Sequence, residues 1–85
     1  MELITKYKWI YFSAVASTGK TTIYNCYNEE HKTFLGEVKW YAPFRKYSFF
    51  PAANIVFETQ CLKDIASFLD QLMLERKLQK QNSQQ

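Results

Sequence analysis

The chain has 85 residues, of which 47% are hydrophobic and 18% aromatic, and its formal net charge is +3. A chain of this length buries only about 60–65% of the surface of its unfolded state, so we expect one domain with a single core. No run approaches the roughly 18 apolar residues of a membrane span, and no apolar signal-peptide segment opens the chain, which predicts a cytoplasmic protein with no membrane partner. The positive charge is too small for a typical basic nucleic-acid arm.

Four segments are rich in β-branched and aromatic residues and predict β-strands. They are residues 7–16, 21–27, 34–41 and 47–50, with residues 55–57 as a short additional candidate. Residues 17–19 (Ser-Thr-Gly) separate the first two strands, and Pro43 favours a turn between the last two because proline presets φ and lacks an N–H. Short polar connections join antiparallel neighbours, so the segments predict a meander of three to four strands.

Side chains alternate between the two faces of a strand, so residues 34–41 should present two different surfaces. Gly36, Val38 and Trp40 share one face, and Leu35, Glu37, Lys39 and Tyr41 share the other. We expect Trp40 and Phe49 to belong to the core.

The segment that follows residue 58 predicts one amphipathic helix. Thr59 is placed as its N-cap, and Asp64 near the first turn would favour the helix dipole. At helical spacing the apolar residues form one stripe. The stripe comprises Cys61, Leu62, Ile65, Ala66, Phe68, Leu69, Leu72 and Met73. The predicted fold is a single α+β domain over residues 1–78, with the antiparallel meander packed on this C-terminal helix, and a polar, frayed tail at residues 79–85.

Motifs for catalysis are weak. Residues 14–21 match the relaxed phosphate-loop pattern (A/G)-x4-G-K-(S/T). A phosphate loop needs a helix after it, whereas a strand is predicted there, so we expect a hairpin turn. His31 is the only histidine, and Cys26 and Cys61 lack the spacing of a disulfide framework or a zinc site. A helix N-terminus can lower a cysteine pKa, but we expect Cys61 to be a core residue. We therefore expect no enzyme, no metal and no cofactor.

The strongest functional candidate is a run of aromatic and basic residues around the turn at Pro43. The candidate ligand-binding residues are Lys39, Tyr41, Phe44, Arg45, Lys46 and Tyr47. Aromatic rings on an open sheet face can stack on bases while Arg and Lys contact phosphates. The alternative is structural, with Tyr47 in the core and Arg45 and Lys46 solvating the turn.

The segment from residue 35 to residue 72 also carries a recognisable pattern. It reads LG-x-V-K-W-Y-x-x-F-R-x-Y-x-F-x-P, followed by Phe57 and then C-L-x-x-I-x-x-F-L-x-x-L. This pattern resembles a family of small, functionally uncharacterised proteins of bacterial genomes, phages and mobile elements. The chain departs from the family pattern at Phe44, where the family has Trp, which keeps the aromatic ring but loses an indole N–H. The resemblance implies a phage or mobile-element context and no particular activity.

Two functions of different classes follow. The first is a non-catalytic protein that binds nucleic acid or a nucleotide through the aromatic and basic sheet face, including a nucleotide sponge built as a homo-oligomer. The second is a protein-binding inhibitor or modulator of a host protein, which could include an immune protein. Leu74 and Leu78 lie off the helix stripe, one turn apart, and are the candidate interface for a host protein or a second copy. Isolated exposed leucines are also ordinary on soluble proteins.

Overall fold

The computed structural model describes residues 4–82 as one five-stranded antiparallel sheet and one helix. The elements in chain order are β1 (Ile4–Lys6), β2 (Ile10–Ser17), β3 (Thr22–Asn28), β4 (Phe34–Tyr41), β5 (Lys46–Pro51) and α1 (Thr59–Asn82). Each strand pairs with its neighbours in the chain, in the order β1-β2-β3-β4-β5. The predicted α+β meander with a C-terminal helix is confirmed, with one strand more than expected.

The additional strand is β1, which lies just before the predicted first strand at residues 7–16. A tight bend separates β1 from β2, and the Tyr7 N–H donates a hydrogen bond to the Ile10 carbonyl at 2.8 Å across it. Ile4 then pairs with Ser13 and Lys6 with Tyr11. The short candidate strand at residues 55–57 is wrong, because this segment has no ladder partner. Phe57 instead packs edge-on against Phe49, with ring centroids 5.4 Å apart.

A β-bulge in β4 changes the predicted alternation at one residue. Cys26 pairs with Gly36 and Tyr27 with Phe34, so Leu35 has no direct partner. The extra residue shifts the pleat locally. Leu35 is therefore buried in the core cluster rather than lying with Glu37 and Lys39, as the alternation predicts.

The core lies between the sheet and the helix. Ile10, Phe12, Cys26 and Val38 are fully buried from the sheet side, and Ile65, Phe68 and Leu72 close it from α1. The rings of Phe12 and Phe68 stack with centroids 4.0 Å apart, which joins the two layers. Of the predicted helix stripe, Leu62 and Ala66 are exposed. The apolar surface with which α1 packs on the sheet is thus narrower than the predicted stripe.

Gly36 allows β4 and β5 to approach closely at the bulge. A Cβ on this residue would lie 2.6 Å from the Phe50 carbonyl oxygen and 2.7 Å from Phe49 Cζ. Because Cβ atoms do not approach backbone atoms so closely, only glycine fits here without a shift of β5.

The helix begins at Thr59, and its cap is Glu58 rather than Thr59. The Cys61 N–H donates to Glu58 Oε1 at 2.6 Å, and the Leu62 N–H donates to the Glu58 carbonyl at 3.0 Å. Asp64 lies beyond the first turn, which contains no acidic residue. It is 8% exposed and accepts a hydrogen bond from Gln60 Nε2 at 2.9 Å.

The helix covers the outer edge of β5. The Tyr47 N–H, which has no strand on its outer side, donates a hydrogen bond to Met73 Sδ at 3.4 Å.

The helix also extends beyond the predicted domain boundary at residue 78. Residues 79–82 belong to α1, where the sequence predicts a polar tail. The last part of that tail, residues 83–85, lies outside the described residues. Among the described residues, no helix is long and apolar enough to cross a membrane.

Candidate functional site

Among residues 4–82, no second helix or sheet covers the face of the sheet opposite α1, and we call this face the open face. Phe12, Cys26 and Val38 point toward the helix, so their neighbours along each strand point the other way. The open face comprises Tyr11, Ser13, Asn25, Tyr27, Glu37, Lys39, Tyr41, Lys46, Ser48 and Phe50. Phe34, the partner of Tyr27, extends it at the β3–β4 end.

Aromatic rings on the open face form two groups. In the first group Tyr11 and Tyr27 are stacked with ring centroids 5.3 Å apart, and Phe34 lies 5.9 Å from Tyr27. The second group is centred on Tyr41, whose ring lies 4.8 Å from Phe44 and 5.7 Å from Phe50, both edge-on. The open face therefore carries two aromatic platforms, one toward each end of the sheet.

A lysine lies over each platform. The Lys32 ammonium is 5.1 Å from the centre of the Tyr11 ring, and the Lys39 ammonium is 4.7 Å from the centre of the Phe50 ring. Each lysine also has a carboxylate nearby, since Lys32 lies 3.4 Å from Glu29 and Lys39 lies 3.4 Å from Glu37. These ion pairs are solvent-exposed and therefore weak, so a ligand anion can compete for the lysines.

The structure brings together only part of the predicted site. Lys39 and Tyr41 lie on the open face, Lys46 is the cross-strand partner of Tyr41, and Phe44 is 67% exposed beside them. Arg45 occupies the same turn with a left-handed φ of 54°. Its side chain lines a cleft on the helix side of the sheet.

Tyr47 lies apart from the open face. It is the cross-strand partner of Trp40, so the pleat of β5 turns it toward the helix, where it is 9% exposed. Its hydroxyl oxygen accepts a hydrogen bond from the Thr22 N–H at 3.1 Å. Tyr47 therefore has a structural role, as the alternative interpretation of this segment holds. Trp40 and Phe49 pack against the core, as expected.

Several residues of the open face lie outside the predicted segment. Tyr11, Tyr27, Phe34 and Phe50 join it through strand pairing. Alternation within β2 and β3 is the signal that could have placed Tyr11 and Tyr27.

On the helix side of the sheet, the Arg76 guanidinium stacks 4.2 Å from the centre of the Trp40 ring. No sequence pattern predicts this contact, because it joins the helix to a strand that is distant in sequence.

The remaining candidates lie away from both platforms. Leu74 and Leu78 are exposed on α1, at 56% and 49%. The segment that resembles a phosphate loop joins β2 to β3 as a hairpin connection. Within the described part of the chain, no group of three or more His, Cys, Asp or Glu residues could hold a metal ion.

Both thiols are disfavoured as nucleophiles. Burial raises the pKa of Cys26 to about 12. Burial also raises the pKa of Cys61, and the hydrogen bond and negative charge of Glu58 act in the same direction. Since the thiolate is the reactive form, neither cysteine is poised for covalent chemistry.

The chain is similar to a known phage protein. Over 71 residues the chain is 37% identical to the uncharacterized 9.3 kDa protein of Acholeplasma phage L2, in an alignment that covers 82% of this chain and 91% of that protein. No family model matches the chain, and no solved structure matches it.

Proposed function

This chain belongs to the same family as the 9.3 kDa protein of Acholeplasma phage L2, and on that premise we propose that it is a small phage-type binding protein whose open face holds single-stranded nucleic acid. The observation that carries the proposal is the platform of Tyr41, Phe44 and Phe50, with the Lys39 ammonium 4.7 Å above one of its rings. In an edge-on contact the edge of one ring covers only one face of the other, so further ring faces stay available to bases.

The energetics of stacking suit this surface. An aromatic side chain stacked on a base contributes about 1–3 kcal/mol, whatever the base. Phe44 is 67% exposed, so it can gain contact area on binding. Lys39 and Lys46 lie on the same side of the sheet and supply phosphate contacts. Binding through these groups needs neither a cofactor nor a catalytic step.

The spacing of the platforms suits a strand rather than a mononucleotide. The Tyr11–Tyr27–Phe34 group lies toward the β3–β4 end of the sheet, and the Tyr41 group extends from the β4–β5 turn to Phe50, whose partner on β4 is Glu37. Phe34 lies three residues from Glu37 and seven from Tyr41, so the two groups are separated along β4 by roughly 10 to 23 Å at about 3.3 Å per residue. A few nucleotides can bridge that distance, and the ligand would run along β4.

The experiment is a fluorescence anisotropy titration with labelled single-stranded DNA and RNA of about 12 nucleotides, which is within the usual site size of small sheet domains. We expect Phe44→Ala and Lys39→Gln each to weaken binding by about fivefold or more, and affinity to fall steeply as salt rises. Leu74→Ala is the matched control, since it truncates another exposed apolar side chain on the helix. Absence of binding by the unaltered protein, or equal losses in Phe44→Ala and Leu74→Ala, would contradict the proposal.

The second candidate function is the modulation of a host protein. It is favoured by the exposure of Leu74 and Leu78 one turn apart on α1, which gives the helix an apolar spot outside the core. Affinity purification from the infected host with the unaltered protein and with Leu74→Asp separates the two functions. A partner protein that is lost with Leu74→Asp but retained with Phe44→Ala would favour this candidate.

A further inference from the structure

A basic cleft lies on the helix side of the sheet, between the β4–β5 turn and the C-terminal half of α1. Its volume is about 310 Å³, and it is lined by Trp40, Arg45, Met73, Arg76 and Lys77. The cleft is separate from the open face, because Trp40 and its cross-strand partner Tyr47 point toward the helix. Two segments distant in sequence therefore meet in one concave surface.

Arg76 lines this cleft and makes two contacts with the sheet half of the chain. Its guanidinium lies 4.2 Å from the centre of the Trp40 ring, and its Nη1 donates to the Lys20 carbonyl oxygen at 3.2 Å. An arginine carries five N–H donors, so most of its donors stay available to a ligand. A guanidinium already ordered by stacking loses little further freedom when it binds an anion.

Three of the five lining residues are cations and none is a carboxylate, and the surface that these residues expose within the cleft is mostly apolar. The ion pairs among the described residues involve Lys6, His31, Lys32 and Lys39, and none of the three cations of the cleft. The helical carboxylate Glu75 lines a neighbouring depression together with Lys20 and Arg76, and it accepts a hydrogen bond from Gln71 Nε2 at 3.0 Å. A concave surface with charges of one sign attracts a counter-ion strongly.

Arg45 is the cation of the cleft with an unusual backbone conformation. Arg76 and Lys77 lie on α1 six and five residues before its end at Asn82, outside the last turn in which the helix dipole acts on a charge. Arg45 lies on the turn with φ of 54°, a conformation that glycine or asparagine adopts more readily. A residue held in this region at the rim of a cleft is the kind of outlier that marks ligand sites.

We infer that this cleft is a phosphate-binding site, in which Arg45, Arg76 and Lys77 hold a phosphate group against the Trp40 wall. Forked guanidinium donors match phosphate oxygens in pairs, and a lysine adds a point charge. The volume of about 310 Å³ is at the lower end of the usual range for small-ligand pockets, about 300–1,000 Å³. This volume is larger than one phosphate group occupies, so the cleft can also hold part of a nucleotide or the phosphorylated end of a nucleic-acid strand. The inference does not use the open face and stands without the proposed function.

The test uses Trp40 as its own reporter. In a Trp9→Phe protein the remaining tryptophan is Trp40, so its fluorescence can be followed while inorganic pyrophosphate is added. We expect a saturable change, with Kd raised about tenfold by Arg45→Gln and by Lys77→Gln. Arg76 is left intact because it also packs on the reporter. Lys63→Gln is the matched control, since it removes the same charge from α1 about 21 Å along the helix axis. Isothermal titration calorimetry of the same proteins gives a second, independent readout.

The inference is overturned if pyrophosphate produces no saturable signal by either method, or if Lys63→Gln weakens binding as much as Lys77→Gln.

Two further ligands distinguish the source of the phosphate. Tighter binding of a 5′-phosphorylated oligonucleotide than of its 5′-hydroxyl form, lost in Arg45→Gln, identifies a strand end. Binding of a nucleoside diphosphate with no such difference identifies a free nucleotide. Phe44→Ala should leave pyrophosphate binding unchanged, so failure of the cleft and failure of the open face give different results.

Discussion

At the residue scale, the pleat of β5 decides which side chains are available to a ligand. Lys46 is the partner of Tyr41 on the open face, whereas its neighbour Tyr47 is the partner of Trp40 on the helix side. Two adjacent residues of one aromatic and basic run therefore have different roles. Composition groups them together, but the alternation of a strand separates them.

Replacing Tyr47 by Phe tests its structural role. The substitution removes the hydroxyl that accepts the Thr22 N–H at 3.1 Å, leaving a partly buried donor without this partner. We expect the free energy of unfolding to fall by about 1–2 kcal/mol in urea denaturation, and oligonucleotide affinity to stay unchanged. Tyr41→Phe is the control, since its hydroxyl makes no hydrogen bond within the described residues. A loss of affinity in Tyr47→Phe without a loss of stability would return Tyr47 to the binding site.

At the element scale, the strands and the helix could be predicted where periodicity alone determines them. The bounds of β4 agree with the prediction, and the helix begins one residue earlier than a cap at Thr59 predicts. The alternation predicts the wrong face for Leu35, because a bulge depends on how β3 and β4 pair and leaves no mark in the alternation. The sequence does not predict the three residues of β1, because a strand so short is defined by its partner rather than by its own composition.

The candidate site could be predicted only in part for the same reason. Lys39, Tyr41 and Phe44 are near one another in sequence, and the turn brings them together. The contact between Trp40 and Arg76 joins β4 to α1, and no local pattern specifies it. The sequence therefore indicates side chains that a hairpin brings together, but it does not indicate a cleft that forms between the sheet and the helix.

The N-terminus of α1 gives a prediction that depends on pH. Hydrogen bonds from the Gln60 and Cys61 N–H groups lower the pKa of Glu58 below its usual 4.5. A carboxylate with a lowered pKa in the folded state stabilises the protein fully above about pH 4.5, and this contribution is lost as pH falls through the folded value. We expect Glu58→Ala to lower the thermal midpoint at pH 7, and the difference from the unaltered protein to shrink below pH 4.5.

The control for Glu58 is Glu30→Ala, which removes an exposed carboxylate from the connection between β3 and β4. Its effect should be small at every pH. A difference between Glu58→Ala and the unaltered protein that stays constant from pH 7 to pH 3 would contradict the capping role. In that case Thr59 would again be the candidate cap.

At the scale of the whole molecule, one core serves every element of the sheet except β1. Buried residues come from β2, β3, β4, β5 and α1 and form a single cluster. The open face and the basic cleft lie on opposite sides of the sheet, so the same sheet supports both. In so small a domain, neither of these two surfaces has a core of its own.

This dependence on one core predicts that both ends of the sheet unfold together. Trp9 lies at the end where its carbonyl accepts the Glu29 N–H at 2.8 Å, and Trp40 lies at the opposite end, beside the β4–β5 turn. In Trp40→Phe and Trp9→Phe proteins, the remaining tryptophan reports on one end each. Within each variant we expect the fluorescence midpoint in urea to equal the far-UV circular dichroism midpoint, as in a two-state transition. A Trp40 signal that changes at lower urea than the circular dichroism signal would show that the β5–α1 layer opens by itself. The basic cleft would then form and disappear independently of the open face, because all of its cations lie on the β4–β5 turn and α1.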